Sequence, residues 1–320
     1  MAVFDAFASS EQIIEAFGPQ IKGKTFVITG ASKLSIGNQM ATSLAKAAPA
    51  HILIASRTLS KVQPVLDEIQ AIDNTIKTTA VQVDLTDHDS VRRAADEILT
   101  AAPKIDVLVN SAGVMGAKEY TLDKQGIELN LSANHLGHFL LTNLLVPTLE
   151  AATSARVVNL TSSAYLITPF RFEDWNFSEG KQYDHWTGYG QSKTANILFA
   201  YGLTQRLKHR GIVAVAAHPG YNADTNLGVN LTMDDFVDLF PTVKRNTGKD
   251  FVFEEPRFKT YTQIAATPLI AALDPDLRER APVYLQNSAV GATVEYTWDP
   301  ESVEKLWKLS EELVGQEFEY

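Results

Sequence analysis

Cysteine is absent from all 320 residues, so the chain can form no disulfide and has no thiolate for catalysis or metal binding, which is compatible with a reducing compartment. Basic residues are scarce: 28 Lys and Arg against 38 Asp and Glu give a net charge of −10, and no basic stripe exists to meet nucleic-acid phosphates. No apolar run approaches membrane-spanning length, and the N-terminus lacks a basic flank followed by a long apolar stretch. We therefore read the chain as cytoplasmic, with no membrane partner. No Pro/Gly/Ser-rich linker and no repeat divides it, so residues 1–320 are read as one domain. A G-x-S-x-G turn is missing too, which removes support for a nucleophile-elbow hydrolase.

What is present is a regular alternation. Strand-like apolar runs stand at 25–29, 51–56, 78–83, 106–110, 156–161, 213–217 and 282–285, separated by longer stretches with apolar residues three and four apart. The pattern predicts a doubly wound parallel sheet, an α/β Rossmann fold with helices on both faces. In such a sheet the ligand sits beyond the carboxyl ends of the strands, where strand order reverses. The core is placed at about 22–225 and 259–290. Before it, EQIIEAFGPQIKGK reads as a short amphipathic helix.

The first strand runs into TGASKLSIG, with Gly30 and Gly37, at a predicted helix start. Glycine admits close backbone approach to a phosphate, and the free amides of a helix start favour an anion. Further along, Tyr189 and Lys193 lie four apart in YGQSKTANILFAYGL, one face of a predicted helix. A free phenol titrates near pH ~10, so proton transfer at neutral pH calls for a neighbouring cation to lower it, a role open to Lys193. Tyr120 and Lys124 repeat the spacing in a loop and serve as its control.

These segments, taken in order, resemble the short-chain dehydrogenase/reductase family over residues 22 to 225. The marks are TGASKLSIG at 29–37, NSAG at 110–113, Asn134 in LSANHLGHF, Ser162 in VVNLTSSA, the Tyr189 and Lys193 pair, and HPG at 218–220. The wording LSANHLGHFLLTNLL is similar to the retinol-dehydrogenase-like and WW-domain-oxidoreductase-like branch. The resemblance implies catalytic residues Asn134, Ser162, Tyr189 and Lys193. Tyr189 would be general acid in reduction and base in oxidation, Ser162 would donate to the substrate oxygen, and Asn134 would hold a proton-carrying water. Ser163 is the neighbouring decoy.

The same resemblance implies a dinucleotide held by Gly30, Ser32, Lys33, Ser35, Ile36, Gly37, Arg57, Asp84, Leu85, Asn110, Ala112, Gly113, Tyr189, Lys193, Pro219, Gly220 and Thr225. Its second strand ends in ASRT, with Arg57 and no carboxylate, and Lys33 can reach the same place, so the cofactor is expected to be NADP(H). The glycine turn is one residue longer than the family's TGxxxGxG. Ser35 takes the place of the middle glycine and adds a side chain where backbone approach is closest. ASKLSI also resembles the turn of the enoyl-acyl-carrier-protein reductases, although these space tyrosine and lysine seven apart and Asn196 stands there.

Residues 165–187 and 226–262 form long segments over the site. Their Trp175, Phe177, Trp186, Phe236 and Phe240 can line a roomy apolar pocket, or else anchor the loops. The expectation is an NADP-dependent reductase of a bulky apolar ketone or aldehyde. Enoyl reduction and a non-catalytic dinucleotide sensor are the alternatives. His135 and His138 lack a completing ligand, so no metal is expected, and His218 is read as a strand-end hydrogen-bonding residue. Family members often pair through the helices carrying Asn134 and Tyr189, so a homodimer is also among the expectations.

Overall fold

The computed structural model describes residues 4–228, 231–232 and 234–320. Seven strands fall within a residue of their predicted places: β1 Thr25–Thr29, β2 His51–Ser56, β3 Lys77–Gln82, β4 Val107–Asn110, β5 Ala155–Leu160, β6 Ile212–Ala217 and β7 Val283–Gln286. All seven run parallel, and a short β8, Ala289–Gly291, turns back antiparallel against β7. The order β3-β2-β1-β4-β5-β6-β7-β8 reverses direction between β1 and β4. The carboxyl ends of these two strands therefore open the crevice where such a fold takes its ligand.

Both faces of the sheet are covered, which explains why its central strands read as unbroken apolar runs. Val27, Leu53, Leu108, Val157 and Ala214 pack one way, against helices His88–Ala101, Gly137–Leu144, His185–Leu207 and Pro300–Val314. Their chain neighbours Phe26, Ile52, Val109, Val158 and Val215 pack the other way, against helices Ser10–Phe17, Ile36–Ala45, Leu59–Ile72 and Tyr261–Leu273. The alternation is the two-residue period of a strand. The predicted amphipathic helix is Ser10–Phe17, closed by a capping box between Ser9 and Gln12 and buried through Ile13 and Ile14. No helix among the described residues is long and apolar enough to cross a membrane.

The C-terminal segment packs back onto the core. Trp307 packs edge-on to Phe139 with ring centroids 5.0 Å apart, and the Arg206 guanidinium lies 4.1 Å from the Trp307 ring. Ser310 bonds His135, and the Tyr320 hydroxyl donates to Asn143 Oδ1 at 3.0 Å. Residues 300–320 thus cover the outer face of the helix that carries Tyr189. That face is occupied by the chain's own tail.

Candidate active site

The crevice at the switch point holds two adjoining clefts, one of about 340 Å³ and one of about 110 Å³, with Ile36, Ser111, Gly113, Thr225 and Leu227 lining both. The larger begins at the glycine turn. Gly30 has φ +72°, and a Cβ there would stand 2.6 Å from Ala112 Cα, so the turn can press against the loop after β4 only because position 30 has no side chain. Thr29 ties the two together, its Oγ1 accepting the amides of Ser111 at 2.9 Å and Ala112 at 3.0 Å. Ser35 lines the large cleft beside this contact. It is the N-cap of helix Ile36–Ala45, its Oγ accepting the Asn38 amide at 3.0 Å. The extra residue of the turn is absorbed at Leu34, which adopts φ 61°.

From this turn the large cleft runs past the ends of β2 and β3, where Arg57, Lys61, Asp84 and Leu85 line it. Arg57 and Lys61 are exposed. Asp84 is not a helix cap: its Oδ1 closes a local turn with the amide and hydroxyl of Thr86, and Asp87 caps the next helix.

The smaller cleft holds Ser162, Ser163, Tyr189 and Lys193, with His218, Pro219 and Gly220 at the end of β6. Tyr189 and Lys193 sit in the second and third turns of the 23-residue helix His185–Leu207 and are both buried. The Lys193 ammonium lies 5.5 Å from the Tyr189 ring centroid and donates to the Leu160 carbonyl at 3.4 Å. Ser162 follows β5, its Oγ accepts the Ala164 amide at 3.2 Å, and its hydroxyl also bonds the Tyr189 phenol. Asn134 lies beneath, in a π-helical turn over Ser132–Leu136. Its Oδ1 accepts the Val114 amide at 2.7 Å, while its Nδ2 donates to the Val114 carbonyl at 3.0 Å and Ser192 Oγ at 2.9 Å. Both amide hydrogens are thereby taken by the protein, so the side chain clamps the loop after β4 to the helix that carries Tyr189 and has only acceptor capacity left for a water.

Burial governs the titration of the pair. It pushes the Tyr189 phenol up to about 12, against a hydrogen bond from Ser162 that pulls it down. It also draws the Lys193 ammonium down to about 8. The phenol is held protonated because desolvation outweighs the Ser162 hydrogen bond. Tyr120 and Lys124 do not pair with each other: the Tyr120 hydroxyl donates to the Asn176 carbonyl at 2.9 Å and Lys124 pairs with Asp87.

Three predicted cofactor residues line neither cleft. Gly37 packs under the turn, its Cβ position 3.1 Å from Ala31. Lys33 is exposed, and its carbonyl accepts the Asn226 amide group at 3.0 Å. Asn110 is buried between strands, its Nδ2 donating to Thr142 Oγ1 and Asn159 Oδ1.

The five aromatics also fall elsewhere. Phe177 is fully buried and Trp175 packs on the main core. Trp186 stacks with Phe236 at 5.2 Å and donates to the Asp235 carbonyl, and Phe240 meets Phe253. They anchor the loops, and the small cleft is walled instead by Met115, Tyr221, Leu227 and Ile264, which the sequence reading missed. Lys61, also missed, lies four residues after Arg57 on the next helix, a spacing that was there to be read.

The histidines of HLGH diverge. His138 bonds Thr29 Oγ1 and the Asn134 carbonyl, while His135 faces Ser310, and burial draws them down to about 4 and about 3, so both stay neutral. Among the described residues no group of three or more His, Asp or Glu comes together as a metal site.

Residues 24–174 match the family model described as short chain dehydrogenase. Retinol dehydrogenase 12 of Mus musculus is 35% identical over 300 residues, spanning 94% of this chain and 89% of the relative. The crystal structure of an uncharacterized protein from Mycobacterium paratuberculosis has a TM-score of 0.70 and 30% identity, covering 94% of this chain and 96% of its own. At 20% identity and a TM-score of 0.61, 3-ketoacyl-(acyl-carrier-protein) reductase from Brucella melitensis, crystallised with NADH, shares the fold over 84% of this chain and 100% of its own. The chain belongs to the short-chain dehydrogenase/reductase family, in its retinol-dehydrogenase-like branch, and is an oxidoreductase with a fold that takes a nicotinamide dinucleotide.

Proposed function

We propose that the protein is a cytoplasmic, NADP(H)-dependent reductase of apolar ketones or aldehydes, interconverting a carbonyl and an alcohol. The observation that carries this reading is the joining of two clefts, with Ser162, Tyr189 and Lys193 in one and Arg57 with Lys61 at the far end of the other. The cradle at Gly30, which a Cβ would fill, fits a dinucleotide backbone. Gly30, Ser32, Ser35 and Ile36 would hold its pyrophosphate, and Asp84 with Leu85 its adenine. Ala112, Gly113, Pro219, Gly220 and Thr225 would hold the nicotinamide half.

When bound, the nicotinamide supplies or accepts the hydride. Tyr189 gives its phenolic proton to the carbonyl oxygen, and the Ser162 hydroxyl, which bonds the phenol here, would support the charge that develops there. Lys193 orders the site from below. The Arg57 guanidinium matches a 2′-phosphate bidentately, and Lys61 adds a second positive charge at the same end. A cleft of about 110 Å³ admits only the slender reacting end of a substrate. Tyr221 at its mouth, paired with exposed Phe258 at 5.6 Å, favours an apolar remainder outside. The relative's name points the same way, since retinol is a long apolar alcohol.

Position 196, where enoyl reductases of this family would carry their lysine, holds an asparagine whose Nδ2 donates to the Leu160 carbonyl at 2.9 Å, so the carbonyl reading is preferred. Cofactor titration tests the phosphate site. Arg57→Ala should lower the preference for NADPH over NADH by tenfold or more, about 1.4 kcal/mol. An unchanged preference would contradict the NADP assignment.

A further inference from the structure

Two features of the site have no role in the mechanism above: a glycine turn one residue longer than its family's, and a Lys33 that lines neither cleft. Both belong to one contact. Lys33 and Asn226 lie 193 residues apart in the chain, yet Asn226 reaches the turn twice. Its amide donates to the Leu34 carbonyl at 3.2 Å, and its Nδ2 donates to the Lys33 carbonyl at 3.0 Å.

Leu34 makes the contact possible. It absorbs the extra length of the turn at φ 61°, a backbone conformation that residues with a Cβ rarely adopt. Such strain persists where the surroundings hold it, and here one bond from Asn226 ends on Leu34 and the other on its chain neighbour. Packing does not explain the conformation, since the Leu34 side chain is 52% exposed.

The contact crosses the joint of the two clefts. Thr225 and Leu227, on either side of Asn226, line both clefts, as does Ile36, two residues after Leu34. Ser111 and Gly113 line both from the loop after β4. A ligand long enough to fill both clefts passes between these walls, beneath the bonds of Asn226. The root of the crossing is fixed to the body of the protein. Asn222 Nδ2 donates to the Lys259 carbonyl at 2.7 Å, Thr225 Oγ1 donates to the Asn222 carbonyl at 3.2 Å, and the Tyr261 hydroxyl donates to the Asp224 carbonyl at 2.6 Å. Asn226 itself is exposed, so water can replace its two bonds and the far end can open while the root stays.

We propose that residues 225–227 form a strap that retains the dinucleotide: Asn226, latched on the Lys33 and Leu34 carbonyls, must let go before the cofactor can leave the joint of the clefts. This rests on the dinucleotide reading of the crevice. The long glycine turn is the catch for the strap. Asn226 sets how long the cofactor stays and not which cofactor is chosen, since Arg57 and Lys61 stand at the far end of the large cleft.

The test is stopped-flow displacement of NADPH from the full-length protein by excess NADP+, read by cofactor fluorescence, in wild type, Asn226→Ala and Asn226→Pro, and repeated with NADH and NAD+. Alanine removes the bond to Lys33. Proline also removes the amide that bonds Leu34, and it stands first in the short helical turn Asn226–Gly228, a place that tolerates it. The strap predicts release faster by about threefold to tenfold for Asn226→Ala, the worth of one exposed hydrogen bond, and faster still for Asn226→Pro. Both nucleotides should be affected by the same factor, with association no slower. Unchanged release from Asn226→Ala, with Asn226→Pro unchanged or unfolded, would overturn the strap and leave the cofactor site standing. So would a change confined to NADPH, because Asn226 would then act on the 2′-phosphate. Failure of the wild type to bind either nucleotide would overturn the dinucleotide reading, and the strap with it.

Discussion

Lys193 bears the sharpest conflict at the scale of single residues, because a fully charged ammonium is kept where the fold has removed water. Its folded pKa, about 8 against 10.5 for a free lysine, makes the charged form a cost to the folded state. The sign follows from proton counting. Between pH 8 and 10.5 the unfolded chain binds the extra proton, so this group's penalty is full below pH 8 and fades as pH rises through that window. Lys193→Met should therefore raise stability at pH 7 by on the order of 1–3 kcal/mol. The gain should shrink toward pH 10 in parallel denaturant titrations of both proteins. A variant that is less stable at pH 7 would mean that Lys193 stabilises the fold as well as the chemistry.

At the scale of elements, the site depends on two turns meeting. Gly30 and Ala112 touch because the end of β1 and the loop after β4 are neighbours in the sheet, and Thr29 accepts both loop amides. Gly30→Ala places a methyl group 2.6 Å from a backbone atom at a φ that L residues avoid. It should lower the melting temperature and weaken NADPH binding by about tenfold or more, read by calorimetry and fluorescence titration. Wild-type affinity would show that the turn does not hold the cofactor.

This layer was also the most legible in the sequence. Strands, glycine turn, Ser162 and the Tyr189 and Lys193 pair are local patterns, each with its signal inside a few residues. Lys33 and Asn226 are 193 residues apart and meet only through the return of a loop, so no spacing announces them. Ser35 was only half legible for a related reason. Its rotamer, turned into the helix start as a cap, is decided by the backbone of Asn38 and not by the motif. The five loop aromatics were legible as apolar but not as to direction, since both a pocket and a loop anchor use the same residues.

At the scale of the whole molecule, the tail matters most. Residues 300–320 cover Phe139 and Phe199 with Trp307, Phe318 and Tyr320, on the outer face of the catalytic helix. A chain that seals this face with its own helix should run as a monomer of 35.1 kDa in light scattering across micromolar concentrations. A dimer cross-linked through the helix His185–Leu207 would show that the tail leaves that surface.

The central claim is that Tyr189 is the proton donor in a hydride-transfer site, and its most direct test is the kcat of NADPH-dependent carbonyl reduction in Tyr189→Phe beside wild type. The structure predicts a fall of about a hundredfold or more with cofactor affinity kept, because only the buried hydroxyl is lost. Turnover near the wild-type rate would contradict the account.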